Sequence, residues 1–348
     1  MEYRRNVIKI VCFLFILALI PVQTKASEDE YIPLFLPNKI IVNFVHILPE
    51  NTPKGLAAKY FKKILEERSN GKFFVRLFSD MAKKGYNDCR AIIAIKKNII
   101  QLACPSFSKF SKIVPQIQIF DLPFLFTSGG HLHRFENSKY GQKILNLFQS
   151  KGIIGLAYWD NGFKCMFNNK RIIKKPTDMA GLRFRIMPSE VLKAQFKAVK
   201  AQPVVLPFSK VYNAIKSGQV DGFENTWSNF YSKKFYEVQK YATLSYHGYL
   251  GYVLITNQKF LDSLSPDLKK IFLDCVQLAT QYEREIASKV NQNFYLKAKQ
   301  LPNLTITQLT QQDKKEWQRV MTKIYPQFYS TIGKDLIQGA LKLRKLRN

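Results

Sequence analysis

The chain has 348 residues, a length that suits one large domain or two of ordinary size. Hydrophobic residues make up 46% and aromatics 14%, which excludes intrinsic disorder, and five cysteines without close pairing exclude a disulfide framework and the usual zinc modules. Lys+Arg 54 against Asp+Glu 25 gives a formal charge of +29, which bears on partners (nucleic acid, an anionic membrane surface, acidic small molecules) and not on the fold.

Residues 1–26 have the layout of a secretory signal peptide. Arg4, Arg5 and Lys9 precede an unbroken apolar run from Ile10 to Ile20, Pro21 ends it, and Thr24-Lys25-Ala26 supplies small residues for cleavage. The run is short for a membrane span, and no later segment approaches the roughly 18 apolar residues a span needs. The expected mature protein is exported to the periplasm. Removing residues 1–26 leaves a charge of +26, spread along the chain in lysine pairs such as Lys62-Lys63 and Lys233-Lys234. No arginine-rich block or RNA-binding aromatic signature accompanies it, so the charge reads as solvated surface and no nucleic-acid partner is expected.

Strands alternate with helices from there on. Ile40–Val45 is β-rich, Thr52 and Pro53 open a helix through Leu65, and Phe73–Leu77 is a strand. A helix through Ile95 follows the turn at Gly85 to Asp88, and Ile99–Ala103 is the next strand. This order predicts a parallel sheet covered by helices. The middle repeats the theme: strand Leu182–Met187, a helix from Ser189 to Val199, strand Pro203–Leu206, a helix capped by Ser209, and strand Gln219–Phe223. Ser265-Pro266 starts a long helix reaching towards Leu301, and Thr310 with Asp313 begins another through about Ser330. Two α/β lobes followed by helices are predicted.

Catalytic machinery is not in evidence. Nucleophile elbow, P-loop and dinucleotide glycine motifs are missing from the sequence, so enzymatic function is not expected. His131-x-His133 is a conceivable metal pair, but solvated surface is the default there; no metal and no cofactor is expected. Cys89, Cys104, Cys165 and Cys275 fall in different elements and read as free thiols.

Ligands of open α/β sheets bind beyond the carboxyl ends of the strands. There the sequence places His46, Ser106, Arg185, Phe208 and Asn225. Arg183 and Arg185 share a strand face, and Arg185 lies nearer the end. Its guanidinium can hold a carboxylate by two parallel hydrogen bonds, with Asn225 donating to the same oxygens. A salt bridge from Arg185 to Glu190 or Glu224 is the structural alternative.

The stretches Gly181-Leu-Arg-Phe-Arg-Ile-Met-Pro-Ser189, Leu206-Pro-Phe-Ser-Lys-Val-Tyr212 and Val220-Asp-Gly-Phe-Glu-Asn225 resemble solute-binding proteins of tripartite ATP-independent periplasmic (TRAP) transporters, of the DctP type that binds C4-dicarboxylates. Glu50-Asn-Thr-Pro-Lys-Gly55, Ala103-Cys-Pro-Ser-Phe-Ser-Lys-Phe110, Phe120-Asp-Leu-Pro-Phe-Leu-Phe126, Tyr158-Trp-Asp-Asn-Gly-Phe-Lys164, Lys234-Phe-Tyr-Glu-Val-Gln-Lys240 and His247-Gly-Tyr-Leu-Gly-Tyr252 extend the match in order.

The resemblance implies a two-lobed periplasmic-binding-protein fold with the ligand cleft between lobes. Lobe I is residues 27–161 plus about 252–290, and lobe II is 162–251 plus about 291–348. The implied function is capture of an organic acid, a C4-dicarboxylate by preference, and its delivery to a membrane permease with a small four-span and a large twelve-span subunit. A sensory binding protein feeding a membrane receptor, or a monocarboxylate binder, is the alternative. By motif, Arg185 becomes the carboxylate clamp, Asn225 its amide partner, Phe208 an aromatic wall and Lys164 the holder of a second carboxylate. His46, Ser106 and His247 fall on ligand-facing positions, Trp159 and Trp227 on pocket wall or core. A monomer is expected. The chain departs from the family pattern at Phe167, where Thr is common, at Phe223, where Gln is common, at Cys89-Arg90-Ala91 and in its large positive charge.

Overall fold

Residues 36–344 are described in the computed structural model of the chain, so the signal segment 1–26 lies outside the described residues. Among the described residues eleven strands run in chain order: β1 (Ile40–Val45), β2 (Phe73–Phe78), β3 (Leu102–Ala103), β4 (Ile154–Phe163), β5 (Cys165–Asn168), β6 (Arg183–Ile186), β7 (Gln202–Val205), β8 (Gly222–Asn225), β9 (Tyr241–Leu244), β10 (Tyr249–Thr256) and β11 (Thr305–Gln308). They form two sheets, in the orders β2-β1-β3-β10-β4 and β11-β9-β5-β8-β6-β7.

Local chemistry accounts for the elements the sequence announces. Thr52 caps the helix Pro53–Arg68 by accepting from the Gly55 amide at 3.3 Å, and Asn87 does the same for the helix Asp88–Lys96. Thr310 and Asp313 form a reciprocal capping box at the start of Gln311–Met321.

The strands expected to run parallel do so, and antiparallel strands join them in both sheets. β1 runs parallel to β2 and β3, but β10 enters antiparallel between β3 and β4. In the second sheet β5 is antiparallel to both β8 and β9. The pair β4–β10 gave no strand signal because β10 is buried along its whole length, which erases the alternation that marks a half-exposed strand. Three boundaries also move. Only Leu102–Ala103 of the expected strand from Ile99 pairs; the third strand of the middle region is Gly222–Asn225; and the helix after Ser209 starts as a 3₁₀ turn, Phe208–Lys210, without a side-chain cap. The helix expected to reach Ser330 stops at Met321 and gives way to a 3₁₀ segment containing Pro326, which has no amide proton for the ladder.

The chain passes between the sheets at Lys164, between β4 and β5, and again through 245–248, between β9 and β10. Gly162 holds φ +154° just before the first passage, where a side chain would also meet the Asn291 amide. The helix Pro266–Lys299 joins the two halves: Phe272 and Ala279 pack in the core under the first sheet, Phe294 and Ala298 in that under the second. Residues 291–348 were expected with lobe II, and the packing divides them. Trp317 and Met321 pack with Phe184 of the second sheet, whereas Ile324 to Ala340 return to the cluster containing Phe120 and Val253.

Candidate functional site

A narrow cavity lies between the two halves, lined from both sheets. Ile47, Ser106 and Tyr252 come from the first sheet and its connections, Arg185, Glu224 and Asn225 from β6 and β8 of the second.

β6 delivers Arg185 as the period of two requires. Arg183, two residues earlier, is partly exposed and spent on Asp221, whereas Arg185 is buried. The Arg185 Nε donates to the Leu206 carbonyl at 3.0 Å, and its guanidinium stands 5.8 Å from the Phe208 ring centroid. Neither alternative partner takes it: Glu190 pairs with Lys193, and Glu224 with Lys164. The two terminal nitrogens have no hydrogen-bond partner among the described residues. Burial pulls the guanidinium down to about 10, so it stays charged at neutral pH.

Asn225 presents a donor beside it. Its Oδ1 accepts from the Thr226 amide and from Asn229 Nδ2, both at 2.9 Å, which fixes the amide's orientation and leaves Nδ2 to donate. The helix amide next along, Glu190 N, is already taken by Gln118 Oε1 at 2.9 Å.

Lys164 lines the same cavity but is committed. Its Nζ lies 2.6 Å from Glu224 Oε1. Glu224 Oε2 receives His247 Nε2 at 2.8 Å and Gln195 Nε2 at 3.2 Å, and Ser245 Oγ lies 2.8 Å from His247 Nδ1. Burial drives the Glu224 carboxyl up, yet Lys164 and His247 more than offset that and hold it at about 2. His247 thus braces the wall from behind instead of facing the cavity.

Ser106 does line the cavity, and its amide and hydroxyl both donate to Asp88 Oδ2 at 3.1 Å. His46 is not brought to the cavity wall. It is buried with both ring nitrogens unpartnered, and burial first, then the Lys54 charge, push it down to about 3, so it is neutral. Trp159 and Trp227 are core: Trp159 donates to Thr280 Oγ1 at 2.9 Å, and Trp227 meets the Phe167 ring edge-on at 5.1 Å. The two aromatic departures, Phe167 and Phe223, are cross-strand partners with centroids 5.4 Å apart, and neither lines the cavity.

The sequence reading missed Lys54, Asp88 and Lys109. Lys54 is sealed in, its Nζ 2.7 Å from the Cys104 carbonyl and 3.6 Å from the Tyr252 ring centroid. Lys109 is partly buried on the cavity wall with no partner among the described residues; burial and then the Arg185 charge lower its pKa. Lys54, Asp88 and Lys109 all lie in or beside segments whose motifs stood out, but a lysine near a helix start reads as solvated until the tertiary structure closes over it. The lining therefore sets Lys54, Lys109, Lys164 and Arg185 against Asp88 and Glu224, a formal excess of two positive charges.

The family model described as DctP, bacterial extracellular solute-binding protein, family 7, matches residues 44–331. The chain is 42% identical over 305 residues to the C4-dicarboxylate-binding periplasmic protein DctP of Shewanella loihica, covering 86% of this chain and 88% of that one. A TRAP periplasmic solute-binding protein of Sulfurospirillum deleyianum with bound succinate superposes with TM-score 0.83 at 45% identity, over 88% of this chain and 99% of that chain. A sugar acid binding protein of Advenella mimigardefordensis in complex with galactonate superposes with TM-score 0.85 at 28% identity, over 88% and 98%. With its two mixed sheets, its cavity between them and a match over most of its length, the chain belongs to the DctP family of TRAP-type solute-binding proteins.

Proposed function

We propose that this protein is an extracytoplasmic receptor that captures a C4-dicarboxylate between its lobes and delivers it to a TRAP-type permease. The observation that carries the reading is the pair of cations on the cavity wall without a carboxylate partner among the described residues, Arg185 and Lys109. Arg185 clamps one carboxylate through its two terminal nitrogens, with Asn225 Nδ2 beside it, and Lys109 meets the other. Lys164 maintains the positive field while held by Glu224. A dianion cancels the excess of two charges in the lining, whereas a monocarboxylate or a singly charged sugar acid leaves one buried cation unmatched. The succinate found with the Sulfurospirillum relative has the required chemistry; the galactonate found with the Advenella relative has one carboxylate only.

Calorimetric titration with succinate, malate, pyruvate and galactonate tests this. The expected order places both dicarboxylates first. Ligand at 100 times its dissociation constant should also stabilise the fold by roughly 2.7 kcal/mol. Tighter binding of pyruvate or galactonate than of either dicarboxylate overturns the assignment.

A further inference from the structure

A second group of charged side chains lies outside the cleft, where β4 approaches its passage between the sheets. His133 and Glu136 sit three residues apart on the helix Gly129–Glu136 and so share one face, while Asp160 is on β4. One ligand atom from each of the three lies within 4.8 Å of the others. His133 Nε2 is 2.7 Å from Asp160 Oδ2. His131 is no part of this group: two residues from His133, it points elsewhere on the helix and sits 2.8 Å from the Ala340 carbonyl.

The carboxylates are short of partners. Glu136 is 4% exposed and Asp160 5%, yet Glu136 Oε1 and Asp160 Oδ1 are buried with no hydrogen-bond partner among the described residues. The neighbouring Glu283 receives the Asp160 amide on Oε2 at 2.7 Å, and its Oε1 is likewise unpartnered. One guanidinium serves the three acids: Arg284 Nη2 reaches Glu136 Oε2 at 2.8 Å and its Nη1 reaches Asn137. Leaving the imidazole out of the count, the three carboxylates of Glu136, Asp160 and Glu283 face one arginine, a formal deficit of two positive charges.

We infer that His133, Glu136 and Asp160 bind one divalent cation of the zinc class beside the passage from β4 to β5. A cation of charge two removes the deficit, takes up the free oxygen of Glu136 and replaces the proton between His133 and Asp160. Two ligands of a tetrahedral zinc ion stand about 3.3 Å apart, so His133 and Asp160 have to open from 2.7 Å and Glu136 has to close on them from within 4.8 Å. An imidazole with two carboxylates suits zinc or cobalt better than calcium or magnesium, which favour all-oxygen sets. His133 is 28% exposed, and open pockets on either side reach it, one lined also by Asp160 and the other by Glu136, so the ion has a path in. Of the three ligands, none lines the organic-acid cavity.

The test uses the mature chain stripped by chelator and titrated with Zn²⁺ by calorimetry in two buffers of different ionisation enthalpy, then with Co²⁺ by visible absorption. The expected result is one Zn²⁺ per chain at micromolar affinity or better, proton release on binding, and the d–d bands of a four-coordinate cobalt site. His133→Ala and Glu136→Gln should each weaken Zn²⁺ binding at least about tenfold. The exposed edge of His133 lets the first variant fold, and Glu136→Gln keeps an oxygen for Arg284. No binding below millimolar Zn²⁺, or binding unchanged in His133→Ala, overturns the site; so does Ca²⁺ binding as tight as that of Zn²⁺. Succinate titration of the same samples reads the cleft separately, so failure here leaves the proposed function untouched, and the reverse.

Discussion

Lys164 Nζ sits 2.6 Å from Glu224 Oε1, with both side chains sealed from solvent at the point where the chain passes from one sheet to the other. The pair is a structural element as well as part of the cavity wall. Lys164→Met should leave Glu224 charged, buried and held only by His247 and Gln195. The expected cost in unfolding free energy is about 3–5 kcal/mol. Adding Glu224→Gln should recover a large part of it, because the uncompensated charge is gone while His247 keeps an acceptor. Denaturant unfolding of the two variants measures the coupling, and a double variant no more stable than Lys164→Met counts against the pair.

Removing the clamp should affect binding more than folding. Arg185→Ala leaves a carboxylate unpaired in a closed cleft, at a cost on the order of 2–5 kcal/mol, or roughly thirty-fold to several thousand-fold in succinate affinity. Arg185→Lys should fail nearly as badly, since an ammonium cannot present two parallel donors. Near-wild-type affinity in either variant, with intact circular dichroism, removes the clamp.

Lys109→Ala should separate ligand classes. Succinate loses a charged hydrogen bond, worth about 1.5–3 kcal/mol and so roughly 10- to 150-fold in affinity, while pyruvate binding changes little. Equal losses for both acids would mean that Lys109 supports the site as a whole and does not meet the second carboxylate.

His46 makes stability depend on pH. Its folded pKa, about 3, lies below the unfolded value, because burial and the nearby Lys54 charge disfavour the imidazolium. The unfolded chain therefore binds a proton near pH 6.5 that the folded chain refuses, and stability falls as pH drops below 6.5. Between pH 7 and pH 5 His46 alone should remove about 2 kcal/mol. His46→Leu should flatten the profile by that amount; the buried His247, also lowered, acts with the same sign and leaves a residual slope. A profile unchanged by His46→Leu refutes the assignment.

Closure should be visible in solution. The two passages at Lys164 and 245–248, with the helix Pro266–Lys299 shared by both halves, allow rigid-body rotation about few residues. Small-angle scattering should show a smaller radius of gyration on adding succinate. Gly162→Ala, forced into φ +154° against Asn291, should weaken succinate binding although Gly162 does not line the cavity. An unchanged radius with calorimetrically proven binding would count against a closing hinge.

Local elements, and the position of Arg185 at a strand end, could be read from the sequence. Capped helices at Thr52, Ser189 and Thr310 stand where their side chains satisfy free amides, and that information is contained within four residues. The place of Arg185 was legible for the same reason: a strand's period and Pro188 just beyond it locate the strand's end. What only the tertiary structure decided is which charges face one another. Glu224 claims Lys164 from 60 residues away, Asp88 claims Ser106, and Lys109 is left without a partner among the described residues. Phe167 and Phe223, puzzling singly, prove to be one cross-strand pair in the core. The antiparallel entry of β10 and the return of residues after Ile324 to the first half were likewise illegible, because a fully buried strand carries no alternation and a helix's apolar face does not name its partner. Pairing between distant segments is set by burial and charge compensation in three dimensions, which no local spacing encodes.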